Sequence, residues 1–174
     1  MLSCPINVLK SVYELLPLAI CNKVVQLNFE NFNFQVKTNN NGQKLIFDPL
    51  RKKEIRLTPE EWVRQHVIQQ LLKNGFPSGR MSVERTLPHT SKRYDLVYYN
   101  KLGEPTLLVE CKAPSIAITQ KTLDQVISYL QHLYAPMILI TNGMQHISIM
   151  RTNENFKIVH DFPHYSEEKN VFLP

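Results

Sequence analysis

The sequence is short of glycine. Its five glycines among 174 residues form no glycine-rich loop of the kind that cradles nucleotide phosphates. Nucleophilic serine chemistry is missing its Gly-x-Ser-x-Gly turn. Cysteine is scarce and odd in number: Cys4, Cys21 and Cys111 have no metal-type spacing, and reduced thiols in a cytoplasmic protein fit them best. His160 and His164 are four apart, but Pro163 breaks the helix that would make them a zinc pair. No apolar run approaches the roughly 20 residues of a membrane span. The short apolar piece from Leu15 to Cys21 contains Pro17, follows Glu14, and leads to no clear small-residue cleavage site. Residues 1–23 are therefore expected to be an amphipathic N-terminal helix or a leader rather than a signal peptide. There is no internal repeat and no low-complexity tract.

What is present is an ordinary globular composition. With 43% hydrophobic and 20% charged residues, a chain of this length can bury a full core as one domain. A net charge of +5 favours polyanionic partners only weakly. The basic residues cluster at Arg51-Lys-Lys-Glu-Ile-Arg56 and Lys92-Arg93. Each cluster alone reads as a solvated turn. Their closeness in sequence to an acidic motif keeps a phosphate-tracking role open.

Taken in order, Val8 to Ala19 has helical spacing. Val24 to Lys37 alternates and reads as extended, Asn39-Asn-Asn-Gly42 is a turn, and Lys44–Phe47 and Arg51–Leu57 are short strands, so 24–57 is expected to be a β-hairpin extension. Thr58-Pro-Glu-Glu61 is a capping box, with Pro at the first helical position. The helix it opens carries an apolar stripe of Trp62, Val63, Val67, Ile68, Leu71 and Leu72 and stops at Asn74-Gly75. Strands are expected over Arg80–Leu87, Arg93–Tyr99 and Thr106–Lys112, then a helix from N-cap Thr119 through Leu133. Further strands follow over Met137–Thr141, Gln145–Arg151 and Phe156–Phe162. This is an α/β fold, an α-β-β-β-α-β core over 58–152 built on a mixed sheet, with a C-terminal strand and tail over 153–174.

The chemistry gathers in two of those strands. In Thr106–Lys112, Glu110 and Lys112 are two apart and share a face, while Val109 and Cys111 take the other. If the preceding strand pairs with it as a hairpin, Asp95 lies near Glu110. Two carboxylates suffice for a magnesium ion, which keeps several of its waters. The Cys111 carbonyl is a candidate further ligand, and Lys112 can orient an attacking water or steady charge on phosphorus. The plain alternative is a surface ion pair beside an acid that merely starts a strand. Against it, charges at the ends of strongly apolar strands are costly to leave unpaired. Gln125 and Tyr129, four apart on the next helix, can brace the lysine or contact phosphate, or be an exposed amide and a half-buried phenol. Glu61 is either a capping residue or a brace for the metal, Glu60 is expected to face solvent, and Glu84 can approach Asp95.

Asp95, Glu110-Cys-Lys112 and Gln125-x-x-x-Tyr129 resemble the motifs of the PD-(D/E)xK nuclease superfamily, with Tyr94 where the superfamily's name has Pro. Leu57-Thr-Pro-Glu-Glu-Trp-Val-Arg-Gln-His66, Lys92-Arg-Tyr-Asp-Leu-Val97, Leu108-Val-Glu-Cys-Lys-Ala-Pro114 and Thr141-Asn-Gly143 resemble, more narrowly, the N-terminal nuclease domain of type I restriction enzyme R subunits. The resemblance implies a restriction-endonuclease-like fold and an endonuclease that cuts DNA with Mg²⁺ or Mn²⁺. It implies metal roles for Asp95 and Glu110, a catalytic role for Lys112 and supporting roles for Gln125 and Tyr129. It also implies contact with other restriction-system proteins. The R subunit's translocase motor is not expected in this chain. The competing expectations are a catalytically silent nucleic-acid-binding or assembly module on the same fold and, more weakly, a nuclease acting on RNA or single strands.

Overall fold

A computed structural model of the protein describes residues 25–87, 89–152, 156–159 and 161–167. The helix expected over Val8 to Ala19, Cys4, Cys21, His160 and the end of the tail lie outside them. The N-terminal extension is a three-stranded antiparallel sheet of β1 (Val36–Thr38), β2 (Lys44–Asp48) and β3 (Lys53–Arg56). The Asn-Gly turn forms as expected: the Asn39 carboxamide accepts from the backbone N–H groups of Asn41 and Gln43, and Gly42 takes φ 74°. Of the alternating stretch 24–37, only Val36 and Lys37 pair into a strand. Upstream, Phe29, Phe32 and Phe34 turn their rings onto His66, and Phe34 also meets Trp62.

Helix α1 spans Pro59–Lys73, with the Thr58 hydroxyl accepting from the Glu61 N–H at 3.1 Å. The reciprocal half of the expected capping box is missing among the described hydrogen bonds, because the Glu61 carboxylate turns to Arg51, Arg64 and Gln65. The buried face is also more polar than the stripe read from sequence. It includes Glu61, Arg64, Gln65 and His66 beside Val63, Val67, Ile68 and Leu71.

A six-stranded sheet follows, with β4 (Met81–Val83), β5 (Leu96–Tyr99), β6 (Pro105–Cys111), β7 (Met137–Thr141), β8 (His146–Arg151) and β9 (Phe156–Val159) side by side in chain order. Only β6 and β7 run parallel, and α2 (Gln120–Leu130) supplies their crossover. The α-β-β-β-α-β order expected of a restriction-endonuclease-like core is thus present in this mixed α/β fold. The strand expected over Arg80–Leu87 is shorter. Ser78–Arg80 is a 3-10 turn, and Glu84 adopts φ 50°, which takes the chain out of the ladder until Thr86 bridges Arg93. Helix α2 ends at Leu130 rather than Leu133, and the Tyr129 carbonyl accepts from the N–H groups of both His132 and Leu133.

β6 is the centre of the molecule. Leu107, Val109 and Cys111 face α1 with Leu96, Tyr98 and Leu139. Leu108 faces α2 with Val97, Ile138 and Ile140. Each such fully buried aliphatic side chain contributes roughly 1.5–3 kcal/mol. A strand packed this firmly on both faces gives its last residues fixed positions, and those residues are Glu110 and Cys111.

Candidate active site

The register of the β5–β6 hairpin sets Leu96 opposite Val109. One step outward, Asp95 and Glu110 stand together at the same end of the sheet. Asp95 is buried, and both its oxygens are engaged. Oδ1 accepts from Arg64 Nη2 at 2.6 Å, and Oδ2 accepts from the Cys111 N–H at 2.6 Å. The Cys111 thiol lies on the α1 side, fully buried, and burial followed by the charge of Asp95 pushes it well above the usual thiol range. Its side chain is therefore inert, and only its backbone borders the acids.

Across the sheet plane, Glu110 Oε1 accepts from Lys112 Nζ at 2.6 Å and from Gln125 Nε2 at 2.7 Å. Gln125 Oε1 accepts from the same Lys112 ammonium at 2.9 Å, and Gln125 Nε2 also lies 2.5 Å from the Tyr129 hydroxyl. The four side chains thus form one closed network between β6 and α2. Glu110 Oε2 is buried and without a partner. Burial, and then the negative charge of Asp95, push Glu110 up to about 7. Burial opposes the Lys112 charge, but its hydrogen bond to Glu110 and the charges of Glu110, Asp95 and Glu60 together outweigh that, and its pKa is raised.

Behind Asp95 stands an arginine pair. Arg64 reaches Asp95, Glu61 and Glu84 (2.9 Å), and Arg51 reaches Asp48 (2.6 Å), Glu61 (3.1 Å) and Glu84 (3.1 Å). Glu61 thus sits in the arginine network and touches neither Asp95 nor Glu110. Glu84 approaches Asp95 through its backbone, its N–H donating to the Asp95 carbonyl at 3.1 Å. Glu60 corrects its expected place. Its carboxylate is half-buried, burial and Asp95 raise its pKa, and its charge is felt by Glu110 and Lys112. Arg51 is likewise no free surface cation, so the basic run 51–56 keeps Lys52, Lys53 and Arg56 exposed but not its first member.

Sequence reading missed Arg64, Arg51 and Asp48. A signal for Arg64 was present: it follows Glu60 by four residues and Glu61 by three, the spacing of helical ion pairs. Asp48 carries only a turn signal, Asp-Pro, and its carboxylate does accept from the N–H groups of Leu50 and Arg51.

Among the described residues, no group of three or more His, Cys, Asp or Glu could hold a metal ion unaided. The site instead offers two carboxylates, which magnesium accepts when water completes its shell. Lys112 meets Glu110 at Oε1 only, and the buried Oε2 beside a second acid has no donor, so the residues present fit a small divalent cation at that oxygen. No helix among the described residues is long and apolar enough to cross a membrane.

Residues 59–163 match the family described as type I restriction enzyme R protein N terminus (HSDR_N). No curated protein sequence matches this one. Similar solved structures include a fragment of a candidate HsdR subunit of a type I restriction enzyme from Vibrio vulnificus YJ016, at 18% identity and a TM-score of 0.49. The similarity covers 62% of this chain and 24% of that one. The type IIG restriction endonuclease BpuSI is 20% identical over 53% of this chain and 11% of its own, with a TM-score of 0.40. A candidate nuclease of the DUF820 group from Anabaena variabilis ATCC 29413 is 14% identical over 66% of this chain and 75% of its own, at 0.39. The chain thus spans about a quarter of the Vibrio protein and a ninth of BpuSI.

Proposed function

Because the chain belongs to the type I restriction enzyme R protein N-terminal family, we propose that it is a divalent-cation-dependent endonuclease that hydrolyses DNA phosphodiester bonds. The observation that carries this reading is the orphaned, buried Glu110 Oε2 facing solvent-starved surroundings beside Asp95, with Lys112 fixed at the same strand end. Asp95, Glu110 and the Cys111 carbonyl would hold Mg²⁺ or Mn²⁺. When bound, such an ion neutralises charge on the phosphate and acidifies a water.

This chain's own residues do the rest. The Cys111 N–H and Arg64 aim Asp95. Gln125 holds Lys112 and Glu110 at once, and Tyr129 steadies Gln125 from one turn further along α2. Lys112 is positioned to orient the attacking water and to offset charge growing on phosphorus. Glu61 acts through Arg64 rather than on the ion. Contacts with other restriction-system proteins and a cytoplasmic location belong to the same proposal, as does the division into an extension over 24–57 and a nuclease core over 58–152.

Plasmid incubated with the purified chain and Mg²⁺ or Mn²⁺ should be nicked or cut. Lys112→Ala should lower the rate at least about 100-fold, and Asp95→Ala or Glu110→Ala by several orders of magnitude. Equal activity in wild type and Lys112→Ala, or none in either metal, overturns the reading. One observation favours the silent DNA-binding module instead: both oxygens of Asp95 are already occupied by protein donors. On that reading, duplex binding survives Lys112→Ala and weakens with salt, without cleavage.

A further inference from the structure

An open groove of about 790 Å³ runs along the β5–β6 hairpin from Tyr94, the neighbour of Asp95, to the turn at Gly103 and Glu104, with His132, Leu133 and Tyr134 beyond α2 forming its other side. Its volume is that of a small-molecule site. Tyr94, Tyr99, Leu133 and Tyr134 supply its apolar walls, and Arg85 and His132 its polar rim. The Tyr94 hydroxyl lies 3.5 Å from that of Tyr99, so two phenols of its lining meet at their hydroxyls.

Among the described residues, neither Tyr99 nor Tyr134 stacks on another aromatic ring. By contrast, Tyr98 and Tyr165 both pack against Phe76. Tyr134 is 60% exposed, and the Arg151 guanidinium lies 5.0 Å from its ring centre. Tyr134 is thus the exposed ring of the groove, while Tyr99 packs against the core cluster that holds Tyr94. Arg85 makes no ion pair among the described residues, and the one acid of the rim, Glu104, accepts from Asn100 at 2.7 Å. Two residues before Tyr94, exposed Lys92 leans on Ser128 of α2 at 2.9 Å. An exposed ring beside an uncommitted cation is what sequence-tolerant binding of single strands uses, with bases stacking and phosphates following the charge.

We propose that this groove is a nucleobase subsite, in which an unpaired base of single-stranded DNA stacks on Tyr134 while Arg85 meets the adjoining phosphate. The choice of a DNA strand over other nucleotide ligands rests on the nuclease reading; the groove chemistry does not.

The test is fluorescence anisotropy in EDTA, with a labelled 12-nucleotide single-stranded DNA, an abasic deoxyribose-phosphate strand of equal length, and unlabelled dAMP as competitor. The base-bearing strand should bind the wild-type chain at least about tenfold more tightly than the abasic one, the size of one base stack. Tyr134→Ala should remove most of that preference and Tyr134→Phe should keep it. Arg85→Ala should weaken both strands alike. EDTA withholds the divalent ion on which the nuclease reading depends, so a chain that cuts nothing still reports on the groove. Equal affinity for the two strands, or a Tyr134→Ala chain that keeps the preference, overturns the proposal. So does dAMP displacing the strand at concentrations comparable to the strand's own.

Discussion

Arg64 is the counter-ion of buried Asp95, shares Glu61 and Glu84 with Arg51, and is itself almost wholly buried. Burial alone would weaken its charge; Asp95 and then its other acidic neighbours outweigh that and hold the guanidinium firmly protonated. Arg64→Met should therefore destabilise the fold by about 3–5 kcal/mol, because it strands buried carboxylates. That is a fall of roughly 10 °C in Tm, readable by thermal denaturation, and Arg64→Lys should recover part of it by keeping charge without the fork. Glu110 carries the opposite kind of tension. Its pKa in the fold is raised from 4.5 to about 7 by burial and Asp95, so without metal its contribution is present below pH 4.5 and is lost as pH rises through 7. In EDTA, Glu110→Gln should remove that loss. It should be more stable than wild type at pH 8, by up to roughly 3 kcal/mol, and show no such gain at pH 4.5. Urea denaturation at the two pH values checks this.

The elements that hold the site were legible from local rules wherever those rules were uncontested. Thr58 and Pro59 start α1, Thr119 caps α2, and β7 spans the five residues expected of it. Misreadings fall where tertiary partners overrule local preference. Glu61 leaves its capping box for two arginines, Glu84 bends out of a strand, and the aromatic residues of 29–34 pack onto a helix instead of pairing. The nearness of Asp95 and Glu110 was readable on the condition that their strands pair as a hairpin; the register, with its shift at Tyr98 and Tyr99, was not. The Arg64–Asp95 contact joins residues 31 apart across layers, and no local periodicity encodes it. Asn142-Gly143 looked like simple strand punctuation, yet the turn is also a packing point. Gly143 has φ 82°, and a Cβ there would sit 2.8 Å from Leu27 Cδ2 and 3.1 Å from Val63 Cγ2. Gly143→Ala should cost about 1–3 kcal/mol through strain and overpacking, visible as a lower urea midpoint.

Across the whole molecule, two imidazoles tie the N-terminal segment to the core. His146 Nε2 meets the Asn28 carbonyl at 2.8 Å, and the Phe29 ring lies between His146 and His66 at 4.6 and 5.4 Å. Burial lowers the pKa of both. Their contribution is therefore complete above pH 6.5 and is lost as pH falls through their lowered values. Acid should release this segment: the urea midpoint should drop between pH 7 and pH 5, and His66→Leu should drop less. The site, for its part, straddles the sheet. Asp95 is aimed by α1 from one side, while Glu110 and Lys112 are fixed by α2 from the other, and β6 carries the join. A newly made chain with only one helix docked holds half a set of aimed groups. On the nuclease reading, such a folding intermediate is harmless to the genome around it, and cutting power arrives only with the finished fold.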